Sequence, residues 1–227
     1  MLREIGLACL KDIIGLLLKE KGFLDKSKSE RLKLAETHYG KDYPEALKAY
    51  MSTFSEEDFM LDVRIAAVES FEIQPEYKQC PFLSAIAGFI STEFGYRLDQ
   101  LDLAFFFKPL PQRLEVLNGL FPGSSNLSSA LIDIFIQGTY QEVTQMAYEL
   151  VSNLKEPYMV VVQTPVEVDT ERRKMIRQAF NKKYNYVFVD FQINPPIIGG
   201  MRVFENGIVT DHSWLARVQA ISQLSLK

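Results

Sequence analysis

INPPIIGGMRVFENGIVTDHSWLARV, residues 193–218, carries a strand end, a glycine break, a hairpin and a capped helix in one run. Pro195 and Pro196 have no N–H to give a ladder, so strand pairing stops there. Gly199 and Gly200 permit a bulge or a backbone approach that a Cβ would block. Met201 to Glu205 resumes a strand, Asn206-Gly207 supplies the positive φ values of a type I′ turn, and Ile208 to Thr210 runs back. Ser213 then caps a helix with Trp214, Leu215, Val218, Ile221 and Leu224 on one side. Asp211 and Ser213 read as acceptors for the free N–H groups at that helix start. They do not read as a triad with His212, because adjacent residues at a helix start do not converge. The stretch describes a rigid small module rather than catalytic chemistry.

Working upstream, the period of two continues. Val187, Val189, Phe191 and Ile193 alternate with Tyr186, Phe188, Asp190 and Gln192, the pattern of a half-buried strand. Asp169 or Thr170 caps a helix with Met175, Ile176, Ala179 and Phe180 inward and Arg172, Arg173, Arg177, Lys182 and Lys183 outward. Tyr158 to Gln163 is a buried strand. Before Asn153–Pro157 the period is helical. Leu2, Ile5, Cys9, Ile13, Leu16 and Leu17 form a first amphipathic stripe that Gly22 ends. Ser27 to His38 is a polar second helix, and Pro44 opens a third through Thr53. Ser55 to Asp58 is a capping box for a fourth, carrying Phe59, Val63, Ala66, Ala67 and Phe71, which Pro75 breaks. Pro81 starts a fifth through Phe94, and Leu98 to Phe107 is a short apolar sixth segment whose end Pro109 and Pro111 bracket. Pro122-Gly123 marks a loop, and residues 127–153 read as one long connecting helix with Gly138 as its weak point. The fold class is therefore α+β. An N-terminal bundle of about six helices, residues 1–153, precedes a small α/β module, residues 154–227, with a β-hairpin and a terminal helix.

Composition removes several function classes. The chain has 227 residues and a net charge of −4, with no basic block of the kind nucleic acid requires. Two cysteines, Cys9 and Cys80, do not make a disulfide framework, so a reduced compartment is the default. No apolar run reaches the ~18 residues of a membrane span. Neither a phosphate-cradling loop nor a dinucleotide fingerprint is present, and with His38 and His212 as the only histidines, metal ligation is poorly supported. No catalytic residue, cofactor or metal is expected. The 16 Phe and 10 Tyr fit plain core packing best, with partner contacts as the other use.

The order Pro195, Ile197, Ile198, Gly199, Gly200, hairpin, Asp211, Ser213, Arg217 resembles the C-terminal signature of the F-type ATP synthase delta subunit, the oligomycin-sensitivity-conferring protein family. That pattern runs Asp-Pro-Ser-Leu-Ile-Gly-Gly, a short hairpin, then Asp-x-Ser and an Arg-Leu-type pair. Asn194 replaces its Asp, Pro196 its Ser, His212 its frequent Gly, and Val218 its Leu. The likeness reaches back to about Leu131. It implies a non-catalytic stator connector on the peripheral stalk of an energy-transducing membrane. The helical domain would bind N-terminal helices of ATP synthase α subunits on the catalytic head. The C-terminal module would hold the b-type stalk subunits. On that implication the α-subunit groove would be lined by Leu2, Ile5, Cys9 and Ile13 of the first helix and by Phe82, Ile86 and Phe89 of the fifth, with plain core packing as the safer alternative for any one of them. The stalk would meet Arg173, Arg177 and Trp214, with Trp214 packing on Ile197 and Ile198 as the equal alternative. Two other readings stay open: a helical adaptor unrelated to ATP synthase, and an E-like peripheral-stalk subunit of a V-type ATPase. The second family begins with a long heptad helix, which Gly22, Gly40, Pro44 and Pro75 exclude here.

Overall fold

Before residue 158 every regular element among the described residues is helical. The computed structural model describes residues 2–67, 80–101, 103–152 and 158–224. Helix α1 (Leu2–Lys19) turns Ile5, Cys9, Ile13 and Leu16 into the core. Gly22, at φ +70°, leads into a 3-10 turn, Phe23–Asp25. Helix α2 (Lys28–Tyr39) is capped by Ser27, whose N–H donates to Glu30 Oε2 at 2.9 Å. Helix α3 (Glu45–Thr53) follows Pro44, and α4 (Glu56–Ala67) is held by reciprocal bonds between Ser55 and Asp58. The expected positions of Phe71 and the Pro75 break lie outside the described residues, as do the side chains of Ala66 and Ala67.

Three helical expectations need correction. The fifth helix does not stop at Phe94: α5 (Pro81–Phe89) passes through a π-helical turn, Ile90–Phe94, into α6 (Gly95–Leu98). A 3-10 turn, Leu103–Phe107, then precedes α7 (Leu110–Leu120), a helix not expected from the sequence. Its prolines open it rather than close the preceding segment: Pro109 is its N-cap and Pro111 lies in its first turn, where no N–H is needed. Third, the long helix is two, α8 (Asn126–Gln137) and α9 (Tyr140–Ser152). Gly138 leaves the helical region with ψ 156°, and Thr139 starts a new cap. Its N–H donates to Glu142 Oε2 at 2.7 Å, and the Glu142 N–H donates to Thr139 Oγ1 at 3.3 Å.

One buried side chain ties the first helix to the eighth. Asp12 of α1 accepts from the Asn126 and Leu127 backbone N–H groups at 2.8 and 3.2 Å, from Asn126 Nδ2 at 2.8 Å and from the Tyr43 hydroxyl at 3.2 Å. It therefore satisfies, from another helix, first-turn N–H groups of α8 that its own N-cap does not reach, since Ser125 Oγ accepts from the Ser128 N–H at 3.0 Å. Burial pushes the Asp12 carboxyl above its ordinary value, and the four donors pull the other way.

The sheet has the order β2-β1-β3-β4. Strand β1 (Tyr158–Thr164) pairs in parallel with β2 (Val187–Ile193), with Tyr158 opposite Val187. Helix α10 (Thr170–Lys183), capped by Asp169, makes the crossover. Strand β3 (Arg202–Glu205) runs antiparallel to β1, and β4 (Ile208–Asp211) antiparallel to β3. Helix α11 (Trp214–Leu224) ends the chain's described part.

Val160, Val162, Val187, Val189, Phe191 and Val203 form one cluster with Ile176 and Phe180 of α10. Phe188 and Met159 point the other way and join the helical core beside Val143 and Ala147 of α9. So β2 is buried on both faces, not half-buried as its alternation implied, and α9 and α10 cover opposite faces of the sheet.

Candidate partner-binding surfaces

The glycine pair and hairpin build a rigid platform for α11. Gly199 and Gly200 have φ of +63° and +77°. A Cβ on Gly200 would stand 2.4 Å from the His212 carbonyl oxygen and 3.0 Å from Ser213 Cα. The loop thus lies directly against the start of α11. There the Trp214 N–H donates to the Ile198 and Gly199 carbonyls, both at 3.2 Å. Asn206 and Gly207, at φ 44° and 84°, form the hairpin turn. Ser213 is buried, and its Oγ accepts from the Ala216 N–H at 3.2 Å. Asp211 Oδ1 accepts from the Ser213 N–H at 2.9 Å, while Oδ2 receives Arg202 Nη2 at 2.8 Å. These bonds hold the Asp211 carboxyl down at about 2, the contacts with Ser213 contributing most and those with Arg202 next. Arg217 lies over the Trp214 ring, with Cζ 5.9 Å from its centroid. Pro195 sits in the turn between β2 and this loop.

Trp214 is not core. It is 61% exposed, and its indole edge rests on Gly199, so it does not pack inside the module on Ile197 and Ile198. Leu215 and Val218 are exposed beside it on α11, and Ile198, Ile208 and Val209 are exposed on the loop and β4. The side chains of Ile221 and Leu224 lie outside the described residues.

The structure relocates the other expected contact residues. Ile5, Cys9 and Ile13 on α1 and Phe82, Ile86 and Phe89 on α5 are all buried in one helical core, so they line no open groove. The side chain of Leu2 lies outside the described residues. The opposite side of α1 borders a groove instead. Leu7, Ala8 and Lys11 face Ser129, Ala130 and Asp133 of α8 across a cavity of ≈ 450 Å³. A second cavity, ≈ 620 Å³, shares Glu4, Ile134 and Gln137 with it and runs on to Gln141 and Glu142 of α9. Among the described residues the lining carries Glu4, Asp133 and Glu142 against Lys11, an acidic balance.

Arg173 and Arg177 were expected on the outer face of α10, and the structure buries both. Met175, expected inward, is 67% exposed. The arginines point at the helical part, where Asp99 receives Arg177, and they do not present a basic face to a partner. Asp99 and the groove side of α1 were missed as functional positions. The only sequence signal for the latter is the second, shallower apolar stripe of Leu7 and Ala8 beside the core stripe.

The model of the ATP synthase delta (OSCP) subunit family matches residues 113–224. Over those residues, just under half of the chain, it is similar to the ATP synthase delta (OSCP) subunit family. The match runs from α7 through the sheet to the last described residue of α11, so it contains the glycine pair, the hairpin and the Ser213 cap. The delta family is a non-catalytic ATP synthase subunit of the peripheral stalk. Among curated proteins no relative matches the chain. No helix among the described residues is long and apolar enough to cross a membrane.

Proposed function

We propose that the chain is the stator connector of an F-type ATP synthase, joining α subunits of the catalytic head to b-type stalk subunits. It would sit peripherally on an energy-transducing membrane, held there only through the complex, and turn over no substrate of its own. One observation carries the reading: the module that matches the family ends in a helix whose Trp214, Leu215 and Val218 stay in water. A monomer gains nothing by leaving an indole and two branched side chains exposed on one face, whereas a partner helix laid there would bury them. On this reading residues 154–227 are the stalk-binding unit and residues 1–153 the head-binding unit.

The groove between α1 and α8 supports the second half of the proposal. Its floor is small and apolar, at Ala8 and Ala130, and its rim is acidic. An amphipathic helix with apolar anchors at helical spacing and basic flanks fits such a groove. The deciding experiment is affinity capture of the full chain from detergent-solubilised native membranes. Co-elution with ATP synthase α, β and b subunits is expected. With Val218→Asp, b is expected to drop out while α and β remain. Capture without any ATP synthase subunit would refute the assignment.

A further inference from the structure

Arg177 leaves the module that carries it and enters a seat in the helical part. Its Nε donates to Asp99 Oδ2 at 2.5 Å and its Nη2 to Oδ1 at 3.0 Å, a bidentate pair. Both side chains are only 2% exposed. The seat is shaped for a guanidinium. Gly95, one turn before Asp99, has ordinary helical angles, φ −57° and ψ −41°, so no turn demands a glycine there. A Cβ on it would lie 2.7 Å from Arg177 Nη1 and 3.0 Å from Cζ. The rings of Phe188 and Phe191 on β2 lie 5.4 and 5.1 Å from the same Cζ. Arg173 stands nearby, with Nη1 4.0 Å from Asp99, but its Nη2 is committed to Glu167 at 2.8 Å. Among the described residues, Asp190 of β2 and Tyr140 of α9 also face this cluster.

We propose that Arg177 is a pin that fixes the register of the C-terminal module on the helical part through the Gly95–Asp99 seat. An apolar contact at this place could slide, because hydrophobic attraction has no direction. A fork-to-carboxylate pair fits in one register only. Such a pair adds little net strength, since both charges lose their water, yet removing one partner strands the other in a dry site. The result is a joint with one defined register, which loosens when the pin is lost.

The test is amide hydrogen exchange on the full chain. In Asp99→Asn and in Arg177→Ala, exchange within residues 90–98 and 170–193 should quicken about tenfold, because a charge is left unpaired in the contact. Amides of α1–α3 and of the β3–β4 hairpin should keep their native rates. Asp99→Asn combined with Arg177→Met removes both charges and should return the contact to within roughly threefold of native. Gly95→Ala keeps both charges but fills the seat, and should loosen the same residues. Unchanged exchange in the single variants overturns the proposal, as does an equal rise throughout the chain. If the single variants fail to fold, native-like exchange in the neutral double variant together with local loosening in Gly95→Ala supports the pin. A double variant no better than the singles refutes it.

Discussion

Gly200→Ala should damage the C-terminal module far more than Gly207→Ala, although both glycines have positive φ. The conformational cost is common to the two: a left-handed residue with a Cβ loses ~1–2 kcal/mol. Gly207, at φ +84°, has nothing within 4 Å of the added atom, so that cost is the whole effect. At Gly200 the new Cβ would sit 2.4 Å from one backbone atom and 3.0 Å from another, neither of which can swing aside like a side-chain tip. The loop must withdraw from α11. That puts at risk the Trp214 N–H bonds at 3.2 Å and the His212 N–H bond to the Met201 carbonyl at 2.9 Å. With a hydrogen bond worth ~0.5–1.5 kcal/mol, the total for Gly200→Ala is about 3 kcal/mol. In a chain of this size ~1 kcal/mol moves Tm by about 2–4 °C, giving a shift of about 6–12 °C against about 2–8 °C for Gly207→Ala. Trp214 is the only tryptophan and stands on α11, so its fluorescence reads the module while far-UV circular dichroism reads the helices. Equal shifts for the two variants would show that the close approach of the glycine loop to α11 does not matter.

Asp12→Ala strips the Asn126 and Leu127 N–H groups of their acceptor, and should cost about 3 kcal/mol in urea unfolding. Asp12→Asn, which keeps one acceptor oxygen, should cost less, and a loss under ~0.5 kcal/mol for the alanine would mean water replaces the carboxylate. Asp211 has a folded value of about 2, below its ordinary value, so the native state holds fewer protons than the unfolded one between the two. Its contribution is complete above the unfolded value and disappears as pH falls through about 2. The Tm of Asp211→Asn should therefore depend less on pH in that window than that of the native chain, and parallel curves would contradict the Ser213 and Arg202 contacts. Trp214→Ala and Val218→Asp should leave stability within about 1 kcal/mol, both sites being exposed, yet weaken binding of a peptide from the C-terminal end of the b-type stalk protein about tenfold, measured by calorimetry. Unchanged affinity in both would move the stalk site off α11.

The strands, the hairpin and most helix ends were legible because local chemistry sets them. Pro44, Pro81, Ser27 and the Asn206-Gly207 turn act through their own backbone angles and bonds. The α8–α9 break was also written locally, since Thr139 and Glu142 form a capping box just past Gly138. The arginines of α10, by contrast, were misplaced. Positions 173, 176, 177 and 180 share one helical face, and Met175 falls off it. Spacing alone put Arg173 and Arg177 inside, whereas residue type argued them outside. Residue type misled because the counter-charge, Asp99, is 78 positions away and no local pattern points to it. The same limit hid the groove. The stripe through Ile5, Cys9 and Ile13 is the deepest on α1, so it was consumed by the core, and a partner can reach the opposite side, where Leu7 and Lys11 border the groove and Ile14 and Leu18 are exposed.

Three long-range clamps share one physical logic. Asp12 holds the start of α8 from 114 residues away, Asp99 holds Arg177, and the Ile198 and Gly199 carbonyls hold the start of α11. Each is a directional bond between two elements, and each has one partner at a helix end: the start of α8, the Asp99 C-cap of α6 and the start of α11. Apolar packing resists separation but tolerates sliding, because its energy depends on area and not on direction. Hydrogen bonds weaken steeply once the angle or distance departs from ideal, so they resist shear over fractions of an ångström. A connector of the proposed kind is loaded sideways, by a torque that would slide one unit past the next. Under such a load the Asp12 and Asp99 clamps would be strained before the apolar core. It follows that Asp99→Asn should lower coupled ATP synthesis in reconstituted enzyme more than it lowers the uncoupled ATPase rate of the same preparation. Equal losses in both activities would mean that the clamp serves only the stability of the protein that carries it.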